Sequence, residues 1–265
     1  MYKILNNFFR TTYFDNLPRF FSRKLFKIFK TFFVDTELEH LPADNHPTKI
    51  DKQIHAIENS NKDFFKPWST CAYLLEILTL YSTFKKNIKF YDFGANNIDN
   101  YLYLNKYLKN WEYFYRDLPE YNEEIKKIIK EHNYKNIIVD TDFKLSNDQL
   151  DFAFFGSSIH YISDYKRVLN KFFQNKTRHL IFSHTPFFFS NKYNKDRVLK
   201  QLNITPTINY LYLLHYNNFI NFMSKNNYKL MSQNKNNFIK FLNFRNFSKD
   251  YSFISFFDMN FIRSD

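Results

Sequence analysis

From Ile88 onward, the chain alternates short apolar runs with segments whose apolar residues recur every three or four positions. The runs are predicted as strands and the periodic segments as helices. The strand candidates are IKFYDF (88–93), WEYFYRD (111–117), NIIVDTDF (136–143), LDFAFFGSS (150–158) and HLIFSH (179–184), and the helix candidates are IDNYLYLNKYL (98–108), EEIKKIIKEH (123–132) and YKRVLNKFFQ (165–174). This alternation is typical of βαβ units around a parallel sheet.

The pattern changes in the last third of the chain. YLYLLHYNNFINFMSK (210–225) is predicted as one helix, and YKLMSQ (228–233) and SFISFFDM (252–259) as two late strands. Two strands that follow each other favour an antiparallel C-terminal edge. The expected fold is therefore α/β, with a mostly parallel Rossmann-like sheet and helices on both faces.

Three segments are expected: a basic extension (1–45), a helical cap (46–86) and the main domain (87–265). In the extension, apolar residues recur at helical spacing between lysines and arginines over residues 19–32. Such a helix either lies on an anionic membrane or packs on its own domain, and both interpretations stay open. A further helix is predicted over residues 70–84, in the cap.

Composition and charge narrow the class of protein. Of 265 residues, 35 are Phe, 20 are Tyr and only 2 are Gly, a skew that an AT-rich coding sequence would impose. The net charge of +12 is spread along the chain as lysine, which favours solvated surface over a functional basic face. Without an arginine-rich block or an aromatic RNA-binding signature, nucleic acid is a disfavoured partner.

The single cysteine, Cys71, excludes an intramolecular disulfide and fits a reducing compartment. We find no signal-peptide pattern and no apolar run of ~18–20 residues, so a cytoplasmic protein is expected. Acids and histidines cluster where the extension meets the cap, but their spacing matches no ligand motif and no metal is predicted. They are Glu37, Glu39, His40, Asp44, His46 and His55.

Candidate chemistry lies where the strands end, because ligands of open α/β sheets bind at the carboxyl ends of strands. The first strand ends Asp92-Phe93-Gly94-Ala95-Asn96-Asn97. Glycine here permits positive φ and a close approach of backbone to ligand, and asparagine tolerates the same conformation. Asp92 either anchors the loop or accepts from the ammonium group of an amino-acid-like ligand.

The next two strands end in acids. Asp117, about 20 residues beyond the glycine turn, is placed to bind a ribose hydroxyl pair, with Glu120 as the fallback. Asp142 would accept from the amino group of an adenine, and Phe143 would supply an apolar wall. An ordinary surface acid remains the alternative for each carboxylate.

The fourth strand ends at the second glycine, Gly156, followed by Ser157 and Ser158 at the same edge of the sheet. Three side chains nearby suit catalysis: His160 and His184 as candidate bases, and Tyr161 to orient an acceptor. For each histidine the alternative is a hydrogen-bonded wall residue.

These segments resemble the S-adenosylmethionine (SAM)-dependent methyltransferase superfamily, from about Ile88 to the C-terminus. The resemblance rests on YDFGANN, WEYFYRD, SSIHYISDY and IFSHTPF (181–187). More narrowly, the chain is similar to an uncharacterised bacterial methyltransferase-like family associated with surface-polysaccharide gene clusters. Asn96 and Asn97 stand where that family has further glycines. The resemblance implies SAM as cofactor and cofactor roles for Asp92, Gly94, Asp117, Asp142 and Phe143.

The leading hypothesis is O-methylation of a small-molecule or glycan acceptor, with Ala95, Asn96, Ser157 and Ser158 completing the cofactor site. Methyl transfer mainly requires alignment of donor and acceptor. Two alternatives are a glycosyl- or nucleotide-sugar transferase on a similar sheet, and a degenerate, non-catalytic module that binds nucleic acid or membrane.

Overall fold

A computed structural model describes residues 31–36, 38–42, 74, 78, 81, 87–145, 148–190, 192–203, 208–236 and 253–264. The helix predicted over 19–32 lies almost wholly outside these residues, as do Glu37, Asp44, His46, His55 and most of the predicted cap helix. Leu74, Leu78 and Tyr81 of that cap helix are helical, and both leucines are fully buried. Phe32, the last residue of the predicted N-terminal stripe, lies in a strand, which corrects that part of the prediction.

The described residues form ten strands: β1 (Thr31–Asp35), β2 (Ile88–Phe93), β3 (Trp111–Arg116), β4 (Ile137–Val139), β5 (Phe152–Gly156), β6 (His179–Phe189), β7 (Arg197–Asn203), β8 (Ile208–His215), β9 (Tyr228–Asn236) and β10 (Phe253–Arg263). The helices among them are α1 (Asp99–Leu104), α2 (Pro119–His132), α3 (Tyr165–Gln174) and α4 (Tyr216–Lys225), with a 3₁₀ turn at Ile159–Tyr161. No helix in this part of the chain is long and apolar enough to cross a membrane.

The helix boundaries follow local sequence signals. α2 starts with Pro119 in its first turn and ends at Asn133 in the left-handed conformation. α3 is capped by the Asp164 carboxylate, which accepts from the backbone N–H of Arg167 at 3.1 Å. α3 has the predicted bounds, whereas α2 begins four residues before the predicted helix.

The central sheet has the predicted character. Strands β4, β3, β2, β5 and β6 are parallel neighbours in that order, and β10 and then β9 extend the sheet beyond β6 through antiparallel pairs. The chain moves from β2 outward to β3 and β4, then returns to β5 on the other side of β2. The carboxyl ends of β2 and β5 therefore form the point at which strand order reverses, where open α/β sheets bind ligands.

A second group of strands, β1, β7 and β8, corrects the prediction of one helix over residues 210–225. The first part of that predicted helix belongs to strand β8, which pairs antiparallel with β7, and β7 pairs with β1. The helix, α4, begins only at Tyr216. Leu211 and Leu213 pack in one apolar cluster, and Tyr212 and Leu214 in another. Because both faces of β8 are buried, its sequence lacks the alternation that would have marked a strand.

Aromatic side chains fill both sides of the central sheet. Alternate residues of β2 and β5 enter opposite clusters: Tyr91 and Phe155 pack on one face, and Phe90 and Phe154 on the other. On the first face, Phe172 of α3 is fully buried, with ring centroids 5.3 Å from those of both Tyr91 and Phe155. This ring secures α3 against the sheet beneath the carboxyl edge.

We therefore expect Phe172→Ala to lower the free energy of unfolding by about 3–5 kcal/mol, because it leaves a large cavity in the core. Urea denaturation at neutral pH measures the change. Ile138→Ala is the control, since Ile138 is 47% exposed in β4 and should cost less than about 1 kcal/mol. Equal losses for the two variants would contradict this account of the core.

Candidate functional site at the carboxyl edge of the sheet

The turn after β2 is closed by a glycine whose absent side chain makes room for the end of β5. Gly94 has φ +66°, and a Cβ placed there would lie 2.4 Å from Cβ of Ser158. The Ser158 hydroxyl donates to the carbonyl of Phe93 at 2.7 Å. Packing within the protein therefore requires this glycine, and it brings the two strand ends into contact where the strand order reverses.

Asn96 and Asp117 connect that turn to the end of β3. Asn96 adopts the predicted left-handed conformation, with φ 62°. Its backbone N–H donates to Oδ2 of Asp117, and the N–H of Leu118 donates to Oδ1 at 2.7 Å. Burial raises the pKa of Asp117, and the two backbone donors lower it. Each carboxylate oxygen retains a further acceptor position, so ligand hydroxyls can still bind there.

Asp92 is 1% exposed near the end of β2. Its Oδ2 accepts from the hydroxyl of Tyr113 at 2.5 Å and from Nδ2 of Asn100 at 2.8 Å. Its Oδ1 is buried and has no hydrogen-bond partner among the described residues. Burial raises the pKa of Asp92 to about 7, against the opposing effect of the two donors. A buried carboxylate oxygen in this state would be satisfied by a donor from a ligand.

The third strand end has a different environment. The Asp142 carboxylate is exposed and lies 3.0 Å from Nζ of Lys144, which lowers the pKa of Asp142. The Phe143 ring packs against the core, and the charged groups of Arg116 and Lys171 lie 4.7 and 4.1 Å from its centroid. Stacking of an adenine on Phe143 would therefore require one of these cations to move.

Ser157 and Ser158 lie between the glycine turn and β6. Ser157 is exposed with φ 58°, and its backbone N–H donates to the carbonyl of Ser183 at 2.8 Å. Ser158 is buried against Gly94. Ala95 lies in the turn, where its N–H donates to the carbonyl of Arg116 at 3.2 Å. Together with Asn96 and Asp117, these predicted cofactor residues lie at the carboxyl ends of β2, β3 and β5.

Of the two predicted catalytic residues in the 3₁₀ turn, His160 is buried and Tyr161 is partly buried. His160 is 1% exposed, and burial together with the neighbouring His184 lowers its pKa to about 3. His160 is therefore neutral at physiological pH. The Tyr161 hydroxyl donates to Oε1 of Gln201 in β7 at 2.7 Å, and burial raises the pKa of Tyr161 to about 12.

His184 lies in β6 at the level where β5 ends. It has φ 48°, and its backbone N–H donates to Oδ1 of Asp258 in β10 at 2.9 Å. Burial lowers the pKa of His184, and the charge of Asp258 raises it. Because His184 contributes to the lowered pKa of His160, the two candidate bases lie near each other.

Two further acids at this edge were not predicted. Asp140, directly after β4, accepts from the hydroxyl of Tyr91 at 2.6 Å and from the N–H of Lys144 at 3.1 Å. Its position at a strand end was a usable signal. Asp258 lies within β10, and no local pattern marks it, because its role depends on how β10 pairs with β6.

A cavity of about 750 Å³ opens beside the second group of strands. Its walls are residues 38–40, the start of α3, the β6–β7 loop and parts of β8 and α4, including Tyr165, Tyr193 and Tyr212. None of the predicted cofactor or catalytic residues lines it. Apart from residues 38–40, the cavity is lined by segments that follow β5 and β6 in the chain, and by no residue from the ends of β2, β3 or β4. The described residues include no group of acids, histidines or cysteines suited to a metal ion.

Comparison with known proteins gives a likeness in fold only. No protein-family model matches the chain, and no curated protein matches its sequence. The structure is similar to that of the N-terminal domain of EvdMO1, solved in the presence of SAH and D-fucose. That match has a TM-score of 0.53 and 8% identity, and it covers 84% of this chain and 100% of the other.

Two other solved structures are similar in fold. The [4+2]-cyclase SpnF has a TM-score of 0.52 and 7% identity, covering 85% of this chain and 99% of the other. A Burkholderia thailandensis 1,6-didemethyltoxoflavin-N1-methyltransferase, solved with S-adenosylhomocysteine, has a TM-score of 0.48 and 11% identity, covering 89% of this chain and 100% of the other. The matches to EvdMO1 and SpnF, with TM-scores above 0.5, confirm the predicted Rossmann-like fold, and at these identities they carry no residue roles.

The contact between Gly94 and Ser158 predicts strong coupling between the two positions. We expect Gly94→Ala to cost about 1–3 kcal/mol, because a Cβ meets both an unfavourable φ and the Ser158 side chain. Adding Ser158→Gly should recover part of that loss. The double variant should therefore lose less free energy of unfolding than the two single variants lose together. Urea denaturation of the four proteins measures the coupling. Additivity within about 0.5 kcal/mol would contradict the contact.

The environment of Asp92 predicts a pH effect on stability. The unfolded chain releases this proton near its ordinary pKa of 3.8, whereas the folded chain holds it to about pH 7. Between these two pKa values the folded state binds more protons than the unfolded state. The stability that Asp92 contributes is therefore lost as the pH rises from one value to the other. The amide side chain of the Asp92→Asn variant has no charge at any pH in this range. The variant's free energy of unfolding should therefore fall less steeply with pH, by up to about 1.4 kcal/mol per pH unit.

Thermal unfolding of both proteins between pH 4 and 8 tests this expectation. Asp142→Asn is the matched control, because the exposed Asp142 has a lowered pKa and stays charged across the window. Parallel stability curves for Asp92→Asn and the unaltered chain would contradict a buried proton on Asp92.

Proposed function

We propose, on the premise of a Rossmann-like fold that this chain shares with SAM-dependent methyltransferases, that it binds SAM between the carboxyl ends of β2 and β5. The reaction we propose is methyl transfer to a hydroxyl group of a small-molecule or glycan acceptor. When bound, SAM supplies an electrophilic methyl group on its sulfonium. The protein's own residues bind and align the two reactants and accept a proton.

The observation that carries the proposal is the pair of acids at neighbouring strand ends, with Asp92 buried at β2 and Asp117 partly buried after β3. When Asp92 is ionised, its Oδ1 is a buried acceptor that suits the ammonium group of an amino-acid moiety. Asp117 lies at the next strand end and has acceptor capacity for ribose hydroxyls. The residues present thus fit the amino-acid and ribose parts of SAM. The expected adenine contacts, Asp142 and Phe143, fit only after Arg116 or Lys171 moves.

The related folds support this proposal without deciding the reaction. The EvdMO1 domain was solved in the presence of SAH and D-fucose, a cofactor product and a sugar. SpnF is a [4+2]-cyclase on a similar fold, so the fold by itself is compatible with other chemistry. The acceptor and the reaction therefore depend on the residues of this chain.

The acceptor side is proposed to lie at the ends of β5 and β6. A hydroxyl acceptor requires a base, and His184 is better suited than His160, because the charge of Asp258 counters the effect of burial only on His184. The nearby cavity has room for a small molecule or sugar unit and presents tyrosine rings, amides and charged groups. The Tyr161 ring lies against His160, with ring centroids 4.3 Å apart, and its hydroxyl donates to Gln201 in β7.

Calorimetric titration with SAM and S-adenosylhomocysteine tests the proposal, and Asp92→Asn is the informative variant. Its amide oxygen can still accept from Tyr113 and Asn100, while its NH₂ group replaces the oxygen that would accept the ligand ammonium. We expect a 10- to 100-fold weaker affinity, because about 1.4 kcal/mol corresponds to each tenfold change. Asp142→Asn should change the affinity much less. Gly94 is unsuitable for this test, since any side chain there disturbs the ligand-free protein.

Two outcomes would contradict the proposal. One is the absence of both heat and thermal stabilisation at millimolar SAM. The other is stabilisation by a nucleotide sugar but not by SAM, which would favour a glycosyltransferase. Salt-sensitive binding to RNA or anionic vesicles that survives Asp92→Asn, without SAM binding, would favour a non-catalytic module.

A further inference from the structure

An irregularity in the β6–β10 pairing lies at the edge of the proposed site. The register moves from Thr185 paired with Phe257 to Phe182 paired with Met259. Asp258 therefore faces two residues of β6, Ser183 and His184, and this is the arrangement of a β-bulge. Bulges are frequent next to active sites, where they redirect a side chain.

Asp258 holds both residues of this bulge through one oxygen. Its Oδ1 accepts from the Ser183 hydroxyl at 2.6 Å and from the His184 backbone N–H at 2.9 Å. Oγ of Ser183 also lies 3.5 Å from Nδ1 of His184, just beyond the usual range of about 2.7–3.2 Å for an N–H···O hydrogen bond. A serine has one hydroxyl proton, and here Asp258 receives it. At this contact Oγ can only accept, which favours the tautomer with the imidazole proton on Nδ1 and the lone pair on Nε2.

One backbone hydrogen bond and one packing contact connect the bulge to the proposed cofactor crevice. The Ser183 carbonyl accepts from the N–H of Ser157 at 2.8 Å, and the next residue, Ser158, packs on Gly94. Ser183 and His184 are 1% and 6% exposed, so water does not compete freely for these hydrogen bonds. Ser183 and His184 thus lie on β6, the strand next to β5, whose end forms part of the strand reversal.

We propose that Asp258 and Ser183 are positioning residues that set the tautomer of His184, so that Nε2 accepts the proton of the acceptor hydroxyl. This inference rests on the proposed methyl transfer. In that step the acceptor oxygen forms its bond to the methyl carbon as the carbon–sulfur bond breaks and its electron pair goes to sulfur. The O–H bond breaks and an N–H bond forms at Nε2. The resulting imidazolium is stabilised by the nearby Asp258 carboxylate.

The tautomer can be measured on the ligand-free full chain, whether or not SAM binds. Two-bond ¹H–¹⁵N spectra of ¹⁵N-histidine-labelled protein distinguish the two neutral forms, and His184→Gln identifies the His184 signals among the 8 histidines. We expect protonation on Nδ1 at neutral pH. Ser183→Ala should shift His184 toward the Nε2-protonated form. Asp258→Asn keeps an acceptor for Ser183 and should retain the Nδ1 form, but with a lower His184 pKa.

Ser255→Ala is the matched control, since it removes a buried hydroxyl from the same strand, β10, away from the bulge. It should leave the His184 spectrum unchanged. Protonation of His184 on Nε2 in the unaltered chain, or an Nδ1 form that persists in Ser183→Ala, would overturn the inference. If Ser183→Ala does not fold, an unchanged His184 pKa in Asp258→Asn would overturn it as well. If His184 is protonated on Nδ1 but SAM does not bind, the proposed function is contradicted, whereas the assignment of the His184 tautomer to Asp258 and Ser183 is not.

Discussion

The close approach of Gly94 to Ser158 is the constraint on which the site depends. It joins the ends of two parallel strands at the place where the chain reverses direction across the sheet. The buried Ser158 hydroxyl and the Asp117 carboxylate hold the turn from opposite sides. With the backbone held in this way, Asp92 remains buried with one oxygen that lacks a donor among the described residues. Preorganised polar groups of this kind are what a ligand site requires.

The long strand β6 connects this crevice to the rest of the molecule. Its first half pairs with β5 in the central sheet, and its last residues pair with β8 of the added group of strands. The bulge at His184 lies between these two parts, so one strand serves both the cofactor edge and the region beside the cavity. That arrangement separates the proposed donor side, toward β3 and β4, from the proposed acceptor side.

The sequence predicted the central sheet well, because its strands carry apolar runs that end in turn residues. It also placed Gly94, Asp92 and Asp117 at one edge, since the ends of parallel strands meet there. With only 2 glycines in the chain, asparagine adopts positive φ at Asn96, Asn133, Asn136 and Asn227. The prediction for Asn96 depended on this property and was confirmed.

What the sequence could not predict depends on contacts between distant segments. β8 resembled a helix because both of its faces are buried, and β7 had no clear pattern. Gly94 was expected to face a ligand, but its close neighbour is Ser158, 64 positions along the chain. Asp258 lies among apolar residues, and only the shifted register of β10 places it against His184. Such features follow from packing and pairing, which no local window records.

A crystal structure of the full chain with S-adenosylhomocysteine would show directly whether the cofactor binds at the strand reversal. We expect the ligand between the ends of β2 and β5, with its ammonium group within hydrogen-bond distance of Asp92 Oδ1 and its ribose hydroxyls on Asp117. A ligand bound in the cavity beside Tyr193, or a crevice that stays empty at saturating ligand, would contradict it.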